Sequence, residues 1–163
     1  MNMNRYRVDI KTDIEPQDTK EDIIYSEMLK EAKEAASKAY APYSRFRVGA
    51  VALLSNGEMI SGSNQENAAY PSGLCAERVT IFYANARYPQ EAVTRLMIYA
   101  ETDNGPVSKP ITPCGACRQV LVEKEVLQQC PMGIVLVGAD DMYIIDSAAS
   151  LMPLSFIPDS LNG

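Results

Sequence analysis

The residues of this chain best suited to chemistry are three cysteines and a glutamate, in Cys75-Ala76-Glu77 and, farther along, Pro113-Cys114-Gly115-Ala116-Cys117. Cys114 and Cys117 are three apart, so on a helix they share a face, and Cys75 at the start of a second helix could point at them. That set would hold a metal with three thiolates and leave one coordination position open. An open position is the mark of a catalytic zinc site, because a structural site closes its fourth position with protein, and this chain has no histidine to do so. Helix N-termini would favour the thiolate form, since unpaired backbone N–H groups and the macrodipole stabilise negative charge there. By itself the Cys-x-x-Cys is also readable as a redox pair or half of a structural zinc knuckle. Cys130, beside Pro131, has no partner at ligand spacing and reads as a small core or surface residue.

Total absence of histidine also removes every His-based triad and His general base, so proton transfer falls to Glu, Asp, Lys, Tyr or Cys. The net charge of −6 argues against a phosphate-backbone partner, which needs dense Lys and Arg to displace counterions. A small, uncharged or weakly charged molecule is the better match. With 163 residues, 47% hydrophobic and 22% charged, the chain suits one compact domain that needs no disulfide staples. Its apolar runs, such as Val48 to Leu54, are too short to span a bilayer, and the polar N-terminus offers no signal-peptide core. The expected location is the cytoplasm, with no membrane or nucleic-acid partner.

Several elements must position the cysteines. Residues 1–18 are polar and charged and read as an N-terminal extension, although Tyr6, Val8 and Ile10 alternate as in a short edge strand. Residues 19–163 read as a single domain. Thr19 and Asp22 mark a helix start, and Ile24, Met28, Ala32, Ala35 and Ala39 give that helix one apolar face, ending before Pro42. Phe46 to Leu54 reads as a buried strand, Asn56-Gly57 as a hairpin turn and Glu58 to Ser61 as the return strand. Cys75 to Arg87 reads as a helix with Val79, Phe82, Tyr83 and Ala86 on one side, followed by a strand over Leu96 to Ala100. Thr112 suits an N-cap and Pro113 a first helical position, which puts Cys114 and Cys117 in the first turn of the next helix. Ile134 to Val137 and Tyr143 to Ile145 read as two more strands. This order predicts a three-layer α/β/α sandwich around a mixed sheet of about five strands.

A Cys-x-Glu element followed by Pro-Cys-x-x-Cys is the pattern of zinc deaminases, whose Glu is a general acid/base and not a ligand. Five segments in order resemble the cytidine deaminase family, in its small homotetrameric three-cysteine class: Pro42 to Ala50, Asn64 to Tyr70, Cys75 to Arg78, Pro113 to Gln119, and Leu151 to Phe156. The resemblance covers about Tyr40 to Phe156. It implies a cytidine deaminase-like fold and hydrolytic conversion of cytidine and deoxycytidine to uridine and deoxyuridine, with release of ammonia. It further implies one zinc ion per chain on Cys75, Cys114 and Cys117, with Glu77 as proton shuttle and Arg78 as compensator of the thiolate charge. Zinc would lower the pKa of its bound water from ~15.7 toward ~7 and so supply hydroxide for attack at C4.

The same resemblance makes Asn64 and Glu66 the ribose-binding pair, sets Phe46 against the base and lets the Ala76 backbone read the base edge. Ala68, Tyr70 and Phe156 would serve a neighbouring subunit's pocket in a homotetramer with shared active sites. Taken without the family pattern, Phe46 is a core aromatic, and Asn64 and Glu66 are polar loop residues. Two rivals share parts of the pattern. One is a zinc deaminase acting on another aminopyrimidine, such as an antibiotic nucleoside of the blasticidin type, against which the Asn64-to-Asn67 segment speaks. The other is a zinc-stabilised interaction module, which would have no use for Glu77. A nucleotide substrate is disfavoured, since no Lys/Arg cluster or Gly-rich phosphate loop accompanies the motifs.

Overall fold

The computed structural model describes residues 8–11 and 20–161. Its strands are β1 (Val8–Lys11), β2 (Arg47–Leu54), β3 (Met59–Ser63), β4 (Val93–Thr102), β5 (Gly105–Pro106), β6 (Gly133–Val137) and β7 (Met142–Ile145), and its α-helices are α1 (Lys20–Ser37), α2 (Ala76–Arg87) and α3 (Gly115–Gln128). The sheet order is β1-β7-β6-β4-β2-β3, with the two-residue β5 paired to β4. Only the β4–β6 pairing is parallel, so the sheet is mixed as expected. Its strand count exceeds five through β1 and β5. Val8 and Ile10 do lie in an edge strand, antiparallel to β7, while Tyr6 and the Thr19 start signal fall outside the described residues.

Strand alternation builds two cores. Leu96, Ile98 and Ala100 of β4 face α2 and α3 together with Ile134 and Leu136 of β6. Met97 and Tyr99, with Val135 and Val137, face α1 through Tyr25, Met28, Ala32 and Ala36. Each large side chain fully buried in these layers contributes ~1.5–3 kcal/mol of burial free energy, so the sandwich needs no covalent staple. On α1 the alanines let the helix backbone settle directly on β2. A Cβ at Gly49 would stand 1.9 Å from the Ala32 carbonyl oxygen, so only glycine fits there. The hairpin after β2 closes with Gly57 N–H donating to the Leu54 carbonyl at 3.0 Å, and Gly57 takes φ +88°.

On α2 the buried face is Ala76, Glu77, Thr80, Ile81 and Ala84, which corrects the expected face of Val79, Phe82, Tyr83 and Ala86. Phe82 and Tyr83 are about half exposed. The apolar side chains are the misleading signal, because small residues let α2 lie close to the sheet, where Thr80 Oγ1 donates toward the Ala50 and Ala76 carbonyls (3.2 and 2.8 Å).

The topology also explains why distant cysteines meet. β3 and β4 each run antiparallel to β2, and therefore parallel to one another in direction. The chain leaves both strands at the same end of the sheet and then enters α2 and α3, which pack on the same face. Two helix N-termini are thereby set side by side.

Candidate metal and proton-transfer site

Cys75 is the N-cap of α2 and Cys114 the N-cap of α3, both with extended backbone (ψ 153° and 167°). The second assignment corrects the reading of Thr112 as N-cap and Pro113 as first helical residue. Pro113 is instead buried just before the helix, and its carbonyl accepts from Arg118 Nε at 2.8 Å. The same guanidinium donates to Thr112 Oγ1 and to the Leu151 carbonyl, both at 3.1 Å. Arg118 thus fastens the Cys114 loop to the short helical turn Ala148–Leu151. Arg118 lies within the Pro113-to-Gln119 segment, whose residue types alone do not reveal this contact with Leu151.

With Cys114 at the N-cap, Cys117 stands at N3, and these two positions turn their side chains toward each other as in a capping box. The Sγ atoms of Cys75, Cys114 and Cys117 all lie within 4.8 Å of one another, with Cys75 and Cys114 3.8 Å apart. Zinc–sulfur bonds of ~2.3 Å at the tetrahedral angle require sulfurs about 3.8 Å apart, so the trio fits a zinc ion. Accepting a hydrogen bond from the Cys117 thiol, and then from Arg78 and Cys114, lowers Cys75 to about 5 despite its burial. As donor in that pair, and further by burial, Cys117 is pushed up. Arg78 Nη2 stands 4.0 Å from the Cys75 sulfur, while its buried Nε has no partner. A concentration of negative charge is what this guanidinium faces.

Glu77 is 5% exposed. Burial raises its carboxyl pKa and the Cys75 charge adds to that, against the pull of its own backbone N–H and of Cys117. A carboxyl whose pKa is raised by burial, beside the Cys75 and Cys117 sulfurs, suits proton transfer.

Beside the cluster opens a cleft of about 550 Å³ lined by Cys75, Arg78, Asn64, Glu66, Tyr43 and Tyr70 among others. Tyr70 is exposed and meets Tyr43 edge-on, with ring centroids 6.1 Å apart. Glu66 Oε2 accepts from the backbone N–H groups of Tyr43 and Ser44 (2.9 and 3.3 Å). The Ser44 hydroxyl lowers its pKa most, and these two backbone contacts add to that against the effect of burial. Phe46 packs against the α2/α3 core and Ala76 is fully buried. Ala68 and Phe156 are exposed and stand outside the cleft lining. The Phe156 carbonyl accepts from Gln119 Nε2 at 2.6 Å, which ties the C-terminal segment to α3.

Residues 23–133 match the family model of the cytidine and deoxycytidylate deaminase zinc-binding region. The chain belongs to this deaminase family. It is 44% identical over 96 residues to the cytidine deaminase of Halalkalibacterium halodurans, a match covering 59% of this chain and 68% of that one. It is 32% identical over 130 residues to a probable cytidine deaminase of Dictyostelium discoideum, covering 80% and 82%. The crystal structure of cytidine deaminase from Burkholderia pseudomallei superposes with TM-score 0.66 at 37% identity, covering 81% of this chain and 98% of that chain. This deaminase therefore has the fold expected from its sequence, and its Cys75, Cys114 and Cys117 form the one three-ligand cluster found among the described residues. None of its described helices is long and apolar enough to cross a membrane.

Proposed function

We propose that this deaminase hydrolyses cytidine and deoxycytidine to uridine and deoxyuridine with release of ammonia. The observation that carries the reading is the buried Glu77 carboxyl, two residues from Cys75, whose charge acts on it, and hydrogen-bonded with Cys117, both members of the sulfur trio. Held by Cys75, Cys114 and Cys117, zinc would supply Lewis acidity and make a water nucleophilic at neutral pH. Glu77 takes the proton of the attacking water and delivers it to ring N3, as oxygen bonds to C4. It then assists the C4–N bond in breaking, so that the amino group leaves as ammonia. Arg78 offsets the charge of three thiolates, which would otherwise weaken the ion's pull on electrons.

Phe46 lies against the base, the Ala76 backbone reads the base edge, and Asn64 and Glu66 receive the sugar. Residues 19–163 are the deaminase domain, and it works in the cytoplasm as a homotetramer. Exposure of Tyr70 and Phe156, at 76% and 59%, supports a role for them and for Ala68 in a neighbouring subunit's pocket. The test is turnover of purified protein on cytidine, deoxycytidine, CMP and adenosine, followed by ammonia release and absorbance. Release from the two cytosine nucleosides is expected. No release from either would overturn the reading.

A further inference from the structure

The loop between α1 and β2 carries Phe46, and it is held by side chains of the segment that follows β3. Regular pairing of β2 with β3 ends at Gly49 opposite Ser63. The next residue, Asn64, continues the ladder with its backbone: its N–H donates to the Val48 carbonyl at 3.2 Å and its carbonyl accepts from Tyr40 N–H at 3.1 Å. Its side-chain amide then supplies one more rung. Asn64 Oδ1 accepts from Val48 N–H at 2.8 Å, and Nδ2 donates to the Phe46 carbonyl at 2.9 Å. The amide imitates a peptide unit and fixes the backbone on both sides of Arg47.

Glu66 closes the same loop farther out. Its backbone N–H donates to the Tyr40 carbonyl at 2.8 Å, and its carboxylate receives Tyr43 and Ser44 as described above. Between these two clamps lies Arg45, with φ +55°, a left-handed conformation uncommon for a residue with a side chain. Such strain persists where the surroundings over-determine it. Phe46 comes next, with its N–H bonded to Ser44 Oγ at 3.0 Å.

We propose that Asn64 is a positioning residue that sets where Phe46 stands against the base, so that its loss harms base recognition whether or not the sugar carries its 3′-hydroxyl. The proposal rests on the nucleoside deaminase reading and deepens it. An amide has two donor hydrogens and two acceptor lone pairs, and the clamp uses one of each. A sugar contact from the remaining pair is compatible with it; a sugar contact as the whole role of Asn64 is not.

The experiment compares wild type, Asn64→Ala and Asn64→Asp on deoxycytidine and on 2′,3′-dideoxycytidine, with amide hydrogen exchange on the same proteins. Loss of the clamp is expected to lower kcat/KM on both nucleosides by a similar factor, about tenfold or more. In Asn64→Ala the Val48 amide loses protection while the Ala50 amide keeps it. Asn64→Asp retains the acceptor for Val48, so protection stays while activity still falls, because a carboxylate now faces the Phe46 carbonyl. This variant also decides the question if the alanine protein does not fold. Unchanged activity of both variants on the dideoxynucleoside, or a Val48 amide as protected in Asn64→Ala as in wild type, overturns the proposal. Wild type inactive on both nucleosides would overturn the functional reading instead, and the exchange data would still judge the clamp.

Discussion

Replacing Glu77 with glutamine separates proton transfer from everything else the residue does. The side chain keeps its size and shape at the second position of α2, where it is 5% exposed. Burial and the Cys75 charge already disfavour its ionised form, so a neutral amide of the same shape suits that place. Fold and metal content should therefore survive. What is lost is the ability to accept a proton and give it back. General acid–base catalysis is worth ~10²–10⁴-fold, and one carboxyl here serves successive transfers, so the loss should reach the upper end, about 5.5 kcal/mol of barrier. The fall should appear in kcat rather than KM, because the proton moves on the way to the transition state. The assay is cytidine turnover on protein whose zinc content and thermal midpoint match wild type. Activity within about tenfold of wild type, a change of about 1.4 kcal/mol, would refute the role given to Glu77.

Single Cys→Ala changes at Cys75, Cys114 and Cys117 should each abolish tight zinc binding, whereas Cys130→Ala should retain one ion per chain by elemental analysis. Zinc lost from Cys130→Ala but kept by Cys75→Ala would invert the ligand assignment. Mixing inactive Glu77→Gln with an inactive chain truncated before Phe156 should restore part of the activity in reassembled hybrids; no recovery with assembly verified means each chain completes its own site. Gly49→Ala would place a Cβ 1.9 Å from the Ala32 oxygen and 2.7 Å from the Ala36 nitrogen, both helix backbone. Overpacking costs ~1–3 kcal/mol, occasionally more, so at ~2–4 °C per kcal/mol for a chain of this size the thermal midpoint should drop by roughly 2–12 °C. A midpoint within about 2 °C of wild type would show that α1 can retreat from β2.

The ligands were legible because thiol chemistry at fixed spacing is a local property, and the strands β2, β4 and β6 were legible as short apolar runs bounded by turn residues. Boundaries and facing were less legible. Thr112-Pro113 has the residue types of a helix start, but Arg118 holds the Pro113 carbonyl outside the helix and passes the cap to Cys114. On α2, Phe82 and Tyr83 drew the apolar face to the wrong side, because contact with the sheet at this site selects for small residues and for a buried carboxyl. The Asn64 clamp was not visible at all, since its partners, Phe46 just before β2 and Val48 within it, accept or donate through backbone.

Thr80 anchors the start of α2 to β2, and Arg118 anchors the start of α3 to the C-terminal turn, by hydrogen bonds in which no cysteine sulfur takes part. The cysteines are thus presented by scaffolding whose own bonds do not run through them. Small zinc modules, by contrast, gain their fold from the ion and lose it on chelation. Here chelation should leave a folded, idle protein that regains its competence when the ion returns, so that metal supply governs how much of a fixed population is working rather than how much of it survives.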